Sequence, residues 1–143
     1  MTPDVNVLVA ASRADHPHHA VALTWLNQAA SGAAPALSLL GTAVASFLRL
    51  VTHPRIFAEP TPTGQAVAFV DALLGVPGVR WLPMRDEWAH LRRLSLEQRL
   101  AGNALPDAWI AACVLQQQET LATFDKDFVR LLPPQRLHLL SPA

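Results

Sequence analysis

Helical and extended signals alternate along nearly the whole chain, and this alternation constrains the fold more than any other feature. Apolar residues recur at three- and four-residue steps in His18–Ala30, through Val21, Trp25 and Leu26. They recur again in Thr42–Leu50, through Val44, Phe47 and Leu48. A third helix is predicted over Thr63–Leu74 and ended by Gly75, with Thr61 or Thr63 as its cap and Pro62 early in the first turn. A fourth is predicted over Glu87–Leu100, capped by Asp86, and a fifth from Pro106 to Gln118. Short apolar runs lie between them at Ala36–Leu39, Val79–Leu82, Thr120–Thr123 and Leu137–Leu140. Helices alternating with short strands imply an α/β fold with a central parallel sheet covered on both faces. Val5-Asn6-Val7-Leu8-Val9 reads equally well as a buried strand or a first helical turn, because so short a run has no decisive period.

A chain of 143 residues can bury a substantial core as one domain. Hydrophobic residues make up 51% and charged residues 15%, which excludes a disordered tail or a solvating linker. Eleven basic side chains balance eleven acidic ones, so no global positive field advertises sequence-independent nucleic-acid binding. An enzyme that holds its substrate at one small site remains compatible. Cys113, the lone cysteine, sits in Ile110-Ala111-Ala112-Cys113-Val114 and reads as a small buried hydrophobe. Neither a secretion signal nor an apolar run long enough to span a membrane is legible, so a soluble cytoplasmic protein is expected.

In open parallel sheets, chemistry gathers beyond the carboxyl ends of the strands. Asp4 stands at the edge of an apolar run; Asp107 opens the fifth helix, whose next residues are almost wholly apolar; Asp125 and Asp127 follow the strand ending at Thr123. Each acid alone has an ordinary explanation as a helix-dipole partner or a turn residue. Together at one sheet edge they would repel one another and raise their own pKa values unless a cation lay among them. The adjacent base is Lys126, between Asp125 and Asp127. Hard oxygen ligands suit magnesium or manganese, and magnesium commonly pairs one or two carboxylates with a substrate phosphate.

Four stretches carry a family resemblance: Pro3-Asp4-Val5-Asn6-Val7-Leu8, Phe47-Leu48-Arg49-Leu50-Val51-Thr52-His53-Pro54-Arg55-Ile56-Phe57, Pro106-Asp107-Ala108-Trp109-Ile110-Ala111-Ala112 and Leu121-Ala122-Thr123-Phe124-Asp125-Lys126-Asp127-Phe128. In this order and spacing the chain resembles the PIN-domain ribonucleases, and within them the VapC-type toxins of toxin–antitoxin pairs. The resemblance covers essentially the whole chain as a single domain over 1–143, in a three-layer fold with a central parallel sheet flanked by helices. It implies that Asp4 follows a short first strand and that Asn6–Ala11 is helical. It carries the family's metal-binding roles onto Asp4, Asp107 and Asp125, leaves Asp127 as an auxiliary acid or a turn residue, and gives Asn6 and Thr123 the positions that support the acids by hydrogen bonding. Many members have a glutamate where Ser46 stands here, three residues before Arg49. That departure favours one firmly held Mg2+ or Mn2+ ion over a two-metal site.

The implied function is a metal-dependent endoribonuclease in which the ion activates water, with an RNA substrate, a VapB-like antitoxin as partner and a homodimeric assembly. A degenerate domain that binds RNA or protein without cutting is the alternative, and a phosphatase or DNA nuclease using the same acids is a third reading. Ten of the eleven basic residues are arginine, and Arg49 and Arg55 are candidates for phosphate contact. Asp15-His16-Pro17-His18-His19 suggests a transition-metal site or, with less required of it, a turn with Asp15 or His16 near a helix cap. Trp25, Trp81, Trp88 and Trp109 fall at periodic positions and are expected mostly in the core, with Trp81 or Trp88 as a candidate partner surface.

Overall fold

The computed structural model describes residues 1–32 and 36–141. The chain runs β1 (Thr2–Pro3), α1 (Val5–Ser12), α2 (His19–Ser31), β2 (Leu37–Leu40), α3 (Gly41–Val51), α4 (Thr63–Leu74), β3 (Val79–Leu82), α5 (Trp88–Glu97), α6 (Ala104–Gln117), β4 (Leu121–Thr123) and β5 (Leu137–Leu139). Short 3-10 turns at Lys126–Arg130 and Pro134–Arg136 lead into β5. All strand pairs are parallel: β1 with β4, β4 with β5, and β2 with β3. The pairs form a three-stranded sheet, β1-β4-β5, and a two-stranded sheet, β2-β3. The Met1 ammonium donating to the Ala36 carbonyl (3.1 Å) and the Ser38 N–H donating to the Met1 carbonyl (2.8 Å) lay β2 alongside β1, so the strands run side by side in the order 3-2-1-4-5.

Successive strand side chains point to opposite faces, so β2 feeds two cores at once. Leu37 and Leu39 join Val7, Leu8, Leu26, Phe47 and Val79 on the face covered by α1 to α4. Leu40 joins Leu82, Leu94, Ile110, Val114, Leu121 and Phe128 on the face covered by α5 and α6. The three layers follow from this division, and they match the expected α/β architecture. Among the described residues no helix is long and apolar enough to cross a membrane.

Val5–Ser12 is helical, because Asp4 holds an extended conformation and its Oδ1 accepts from the Val5 N–H at 2.7 Å. Hydrogen bonds from Thr2 N–H to Thr120 carbonyl and Asp4 N–H to Ala122 carbonyl, both 2.9 Å, hold β1 in place before that cap. The expected helix starts or caps differ at three places. The fourth helix begins at Trp88 without a side-chain cap, since the Glu87 carboxylate instead accepts from the Trp109 indole (3.2 Å) and the Arg85 N–H (3.1 Å). Pro62 occupies the cap position before Thr63, so neither threonine caps the helix. The fifth helix starts at Ala104, which leaves Pro106 in the first turn, where a missing N–H is tolerated. The fourth helix also ends early, at Glu97, and Arg99 then adopts the left-handed conformation at φ 51°.

The tryptophans correct the expected core. Trp81, Trp88 and Trp109 are 48%, 64% and 38% exposed, and Trp25 is half-buried. A chain so poor in charge must place apolar side chains at its surface, where Trp88 and Trp109 line an open apolar groove with Leu91, Leu105 and Pro106. Cys113 is buried as expected, and burial together with the nearby Glu87 charge pushes its thiol up to about 12.

Candidate active site

Asp4 leaves the carboxyl end of β1, and Asp125 stands two residues beyond the end of neighbouring β4, so one register brings both acids to one sheet edge. Helix α6 delivers Asp107 to the same place from the face above. The three carboxylates share a cleft of about 280 Å³ with Asn6 and His16, walled on its apolar side by Val5, Val9 and Leu50.

Thr123 ties the floor together from a fully buried position. Its hydroxyl donates to Asp4 Oδ2 at 2.7 Å and accepts from Asn6 Nδ2 (3.2 Å) and from the Asp125 N–H (3.0 Å). Asn6 Oδ1 accepts from the Phe124 N–H at 3.3 Å, which bridges α1 to the segment after β4. Asp125 in turn caps the following 3-10 turn, its Oδ1 accepting from the Asp127 N–H at 2.9 Å.

Burial pushes the Asp4 carboxyl above its ordinary value, opposed by the bonds from Thr123 and Val5. Asp107 rises to about 6, first through burial and then through the charges of Asp4, Asp125 and Asp127. Such mutual repulsion is what a bound cation relieves. The donors are all hard oxygens apart from His16, a set that fits magnesium or manganese. Among the described residues no group of three His, Cys, Asp or Glu is placed to enclose an ion by itself.

The remaining candidates separate. Asp127 is exposed and faces an adjoining pocket, which it shares with Asp107. Helix α3 presents Leu50 to the cleft, and Ser46 stands one turn earlier on the same side. Arg49 and Arg55 are exposed and line neither cavity.

His16 is the polar cleft residue that sequence reasoning did not place there. Its loop is fixed at both ends: buried Arg13 binds Asp15, the Thr61 hydroxyl and the Glu59 carbonyl, while His18 stacks on Phe124 with ring centroids 4.9 Å apart. Burial, and next the neighbouring His18, push the His16 ring below its ordinary pKa. Its Nδ1 accepts from the His18 N–H at 3.0 Å, which supports the turn reading of the Asp15–His19 segment.

A short strand ending in an acid, a supporting threonine on the adjacent strand and an acid entering from a helix above meet at one sheet edge. The sequence profile of the PIN domain matches residues 1–131, and the chain belongs to that family, within its VapC group. It is similar to ribonuclease VapC31 of Mycobacterium tuberculosis, at 37% identity over 130 residues and 89% of each chain. Ribonuclease VapC43 of the same organism is 39% identical over 128 residues, 89% of this chain and 86% of the relative. The fold is also that of a chain in the crystal structure of VapBC2 from Rickettsia felis bound to a promoter DNA fragment. That match has a TM-score of 0.65 and 17% identity, and covers 98% of both chains.

Proposed function

We propose that this chain is a magnesium-dependent endoribonuclease and the toxin of a toxin–antitoxin pair. The observation that carries the reading is the convergence of Asp4, Asp107 and Asp125 on one cleft, with Asp107 raised to about 6 by burial and by its neighbours' charge. Asp4, Asp107 and Asp125 would hold magnesium or manganese, which when bound supplies an activated water and polarises the phosphoryl oxygen. The chain's own part is positioning. Thr123 fixes the orientation of Asp4 and the start of the Asp125 segment, and Asn6 locks α1 to that segment. Val5, Val9 and Leu50 exclude water from one wall, which strengthens electrostatic interactions inside the cleft. Ser46, where the family resemblance leads one to expect a glutamate, supports one tightly held ion rather than two.

The reading extends to a single PIN domain over 1–143, supported by the pairing of β5 with β4 beyond the matched segment. It includes a VapB-like antitoxin as partner, supported by the similarity to the VapC ribonucleases and the VapBC2 complex; a homodimer and a cytoplasmic setting complete the reading. Protein freed of antitoxin should cleave single-stranded RNA with magnesium and not with EDTA, and Asp107→Asn should abolish both cleavage and growth arrest. Inert wild-type protein, or an Asp107→Asn variant that still arrests growth, would overturn it. Ser46 also supports a second reading, a domain that binds RNA without cutting. In that case magnesium would leave the thermal stability of the protein unchanged.

A further inference from the structure

A second cavity adjoins the acidic cleft, with Asp107 as their shared wall. It has a volume of about 220 Å³ and is lined by Asn103, Ala104, Asp107, Asp127, Arg130 and Leu131. Two of these side chains are chemically uncommitted. Among the described residues Arg130 makes no ion pair and no side-chain hydrogen bond, although Asp107 and Asp127 line the same pocket. Asn103 stands at the cap position of α6 without making a capping bond, which leaves its amide available beside the positive end of that helix.

The charge balance gives this pocket a task. Four aspartates at the site create a local field that repels a polyanion, and with no net charge the protein offers no compensating global attraction. Even with one divalent ion held among them, four aspartates leave the site net negative, so a strand entering the cleft needs a further cation close to the acids. Arg49 and Arg55 do not line either cavity, whereas the Arg130 guanidinium lines the one next to Asp107. A guanidinium takes two phosphate oxygens at once and stays charged at any working pH.

We infer that the Asn103–Arg130 pocket is a phosphate subsite for single-stranded RNA, in which Arg130 holds the phosphate next to the one being cleaved. The inference rests on the ribonuclease reading of the acidic cleft. Arg130 is a positioning residue for substrate, and Asn103 adds a neutral donor to the same linkage.

The test uses full-length protein freed of antitoxin and an RNA oligonucleotide whose cleavage position has been mapped with the wild type. Arg130→Gln should raise KM about tenfold, the loss of one charge-assisted contact, with kcat within about twofold and Arg130→Lys partly restoring KM. The slope of log(1/KM) against log salt should shrink by about 0.7, the share of one phosphate contact on a single strand. In wild-type protein, a neutral methylphosphonate one linkage from the cleavage site should raise KM by a similar factor, and the same substrate should cost Arg130→Gln nothing more. An unchanged KM and salt slope, a fall confined to kcat, or additive effects of the variant and the neutral linkage would each overturn the subsite. The wild-type scan of neutral linkages decides the matter even if the variants fold poorly. Failure of the wild type to cut any RNA would instead remove the ribonuclease reading itself.

Discussion

Strand pairs β1–β4 and β2–β3 run parallel, side by side, and finish at the same edge, yet one pair opens into an acidic cleft and the other is sealed. The chain builds outward from β1 to β2 to β3, and then α5 and α6 carry it to the opposite side of β1 for β4 and β5. Connections leave β1 and β4 in opposite directions, so a crevice forms between them at the point where strand order reverses. Asp4, Asn6, Thr123 and Asp125 occupy that crevice. At β2 and β3 the chain moves one way only, and apolar packing fills the corresponding space: Leu40 and Leu82 are buried, and the Trp81 ring lies over Gly41. Topology decides where a cleft opens, and the residues at the strand ends decide whether it has chemistry.

The sharpest way to break this contrast is Asp107→Asn, which keeps the shape of the cleft and removes one charge. Cleavage should fall by about 10³-fold, the several kcal/mol supplied by a correctly held cation. Stability should move the other way. The carboxylate is opposed by burial and by three neighbouring acids, so the amide should raise Tm by about 2–4 °C in EDTA, the shift that accompanies roughly 1 kcal/mol in a chain of this size. An amide variant that is both less active and less stable would mean that Asp107 is structural.

Thr123→Val tests the floor of the same crevice at nearly constant volume. It removes the donor to buried Asp4 Oδ2 and the acceptor for the Asn6 amide and the Asp125 N–H. Stability should fall by about 1–3 kcal/mol, the usual penalty for leaving buried polar groups unpaired. Activity should drop about 10–100-fold, as when the hydrogen-bonding support of a metal ligand is lost. Denaturant unfolding and cleavage rates measured together would check both.

Acidity offers a third probe. A carboxyl whose pKa is higher in the folded than in the unfolded chain stabilises the fold below its unfolded value and loses that contribution as pH rises. Asp107 therefore weakens the fold as pH climbs from 3.8 to about 6, and Asp4 acts in the same direction. Magnesium should reverse the loss once these groups ionise. Thermal melts should show a larger magnesium-induced gain at about pH 7.5 than at about pH 5, approaching 2.7 kcal/mol at a hundredfold excess over Kd. The β2–β3 edge has no such acids at its strand ends, so variants there should leave the pH profile unchanged.

How much of this was legible in the chain depends on the range of the interaction. The three acids stood out because each interrupts or borders an apolar run, and local punctuation (Pro62 before and Gly75 after) and a short apolar run placed α4 and β3 at their observed limits. The Val5–Val9 segment was ambiguous from its residues because five apolar-rich positions satisfy either period; its helicity was implied by the family resemblance and is fixed by the Asp4 cap. His16 and Leu50 reach the cleft through separate long-range packing, and neither carries a local sign of it. The tryptophans were misplaced because a helix face packed into a core and one lining an open groove have the same spacing.

Gly41→Ala perturbs the sealed edge and should have the smallest effect of all. A methyl group there would meet Trp81 Cζ2 at 3.2 Å and Cε2 at 3.9 Å. The contact is tight, but the ring is half exposed and can tilt away without disturbing buried packing. Against that strain stands the helical preference of alanine over glycine, about 1 kcal/mol in a helix interior and less at the first residue of α3. The two effects nearly cancel, so stability should stay within about 0.5 kcal/mol of the wild type. Cleavage should be unchanged, because Gly41 adjoins the closed end of β2 and does not line the acidic cleft. A loss of activity without a loss of stability would mean that the two strand pairs communicate, and that the sealed edge helps to shape the open one.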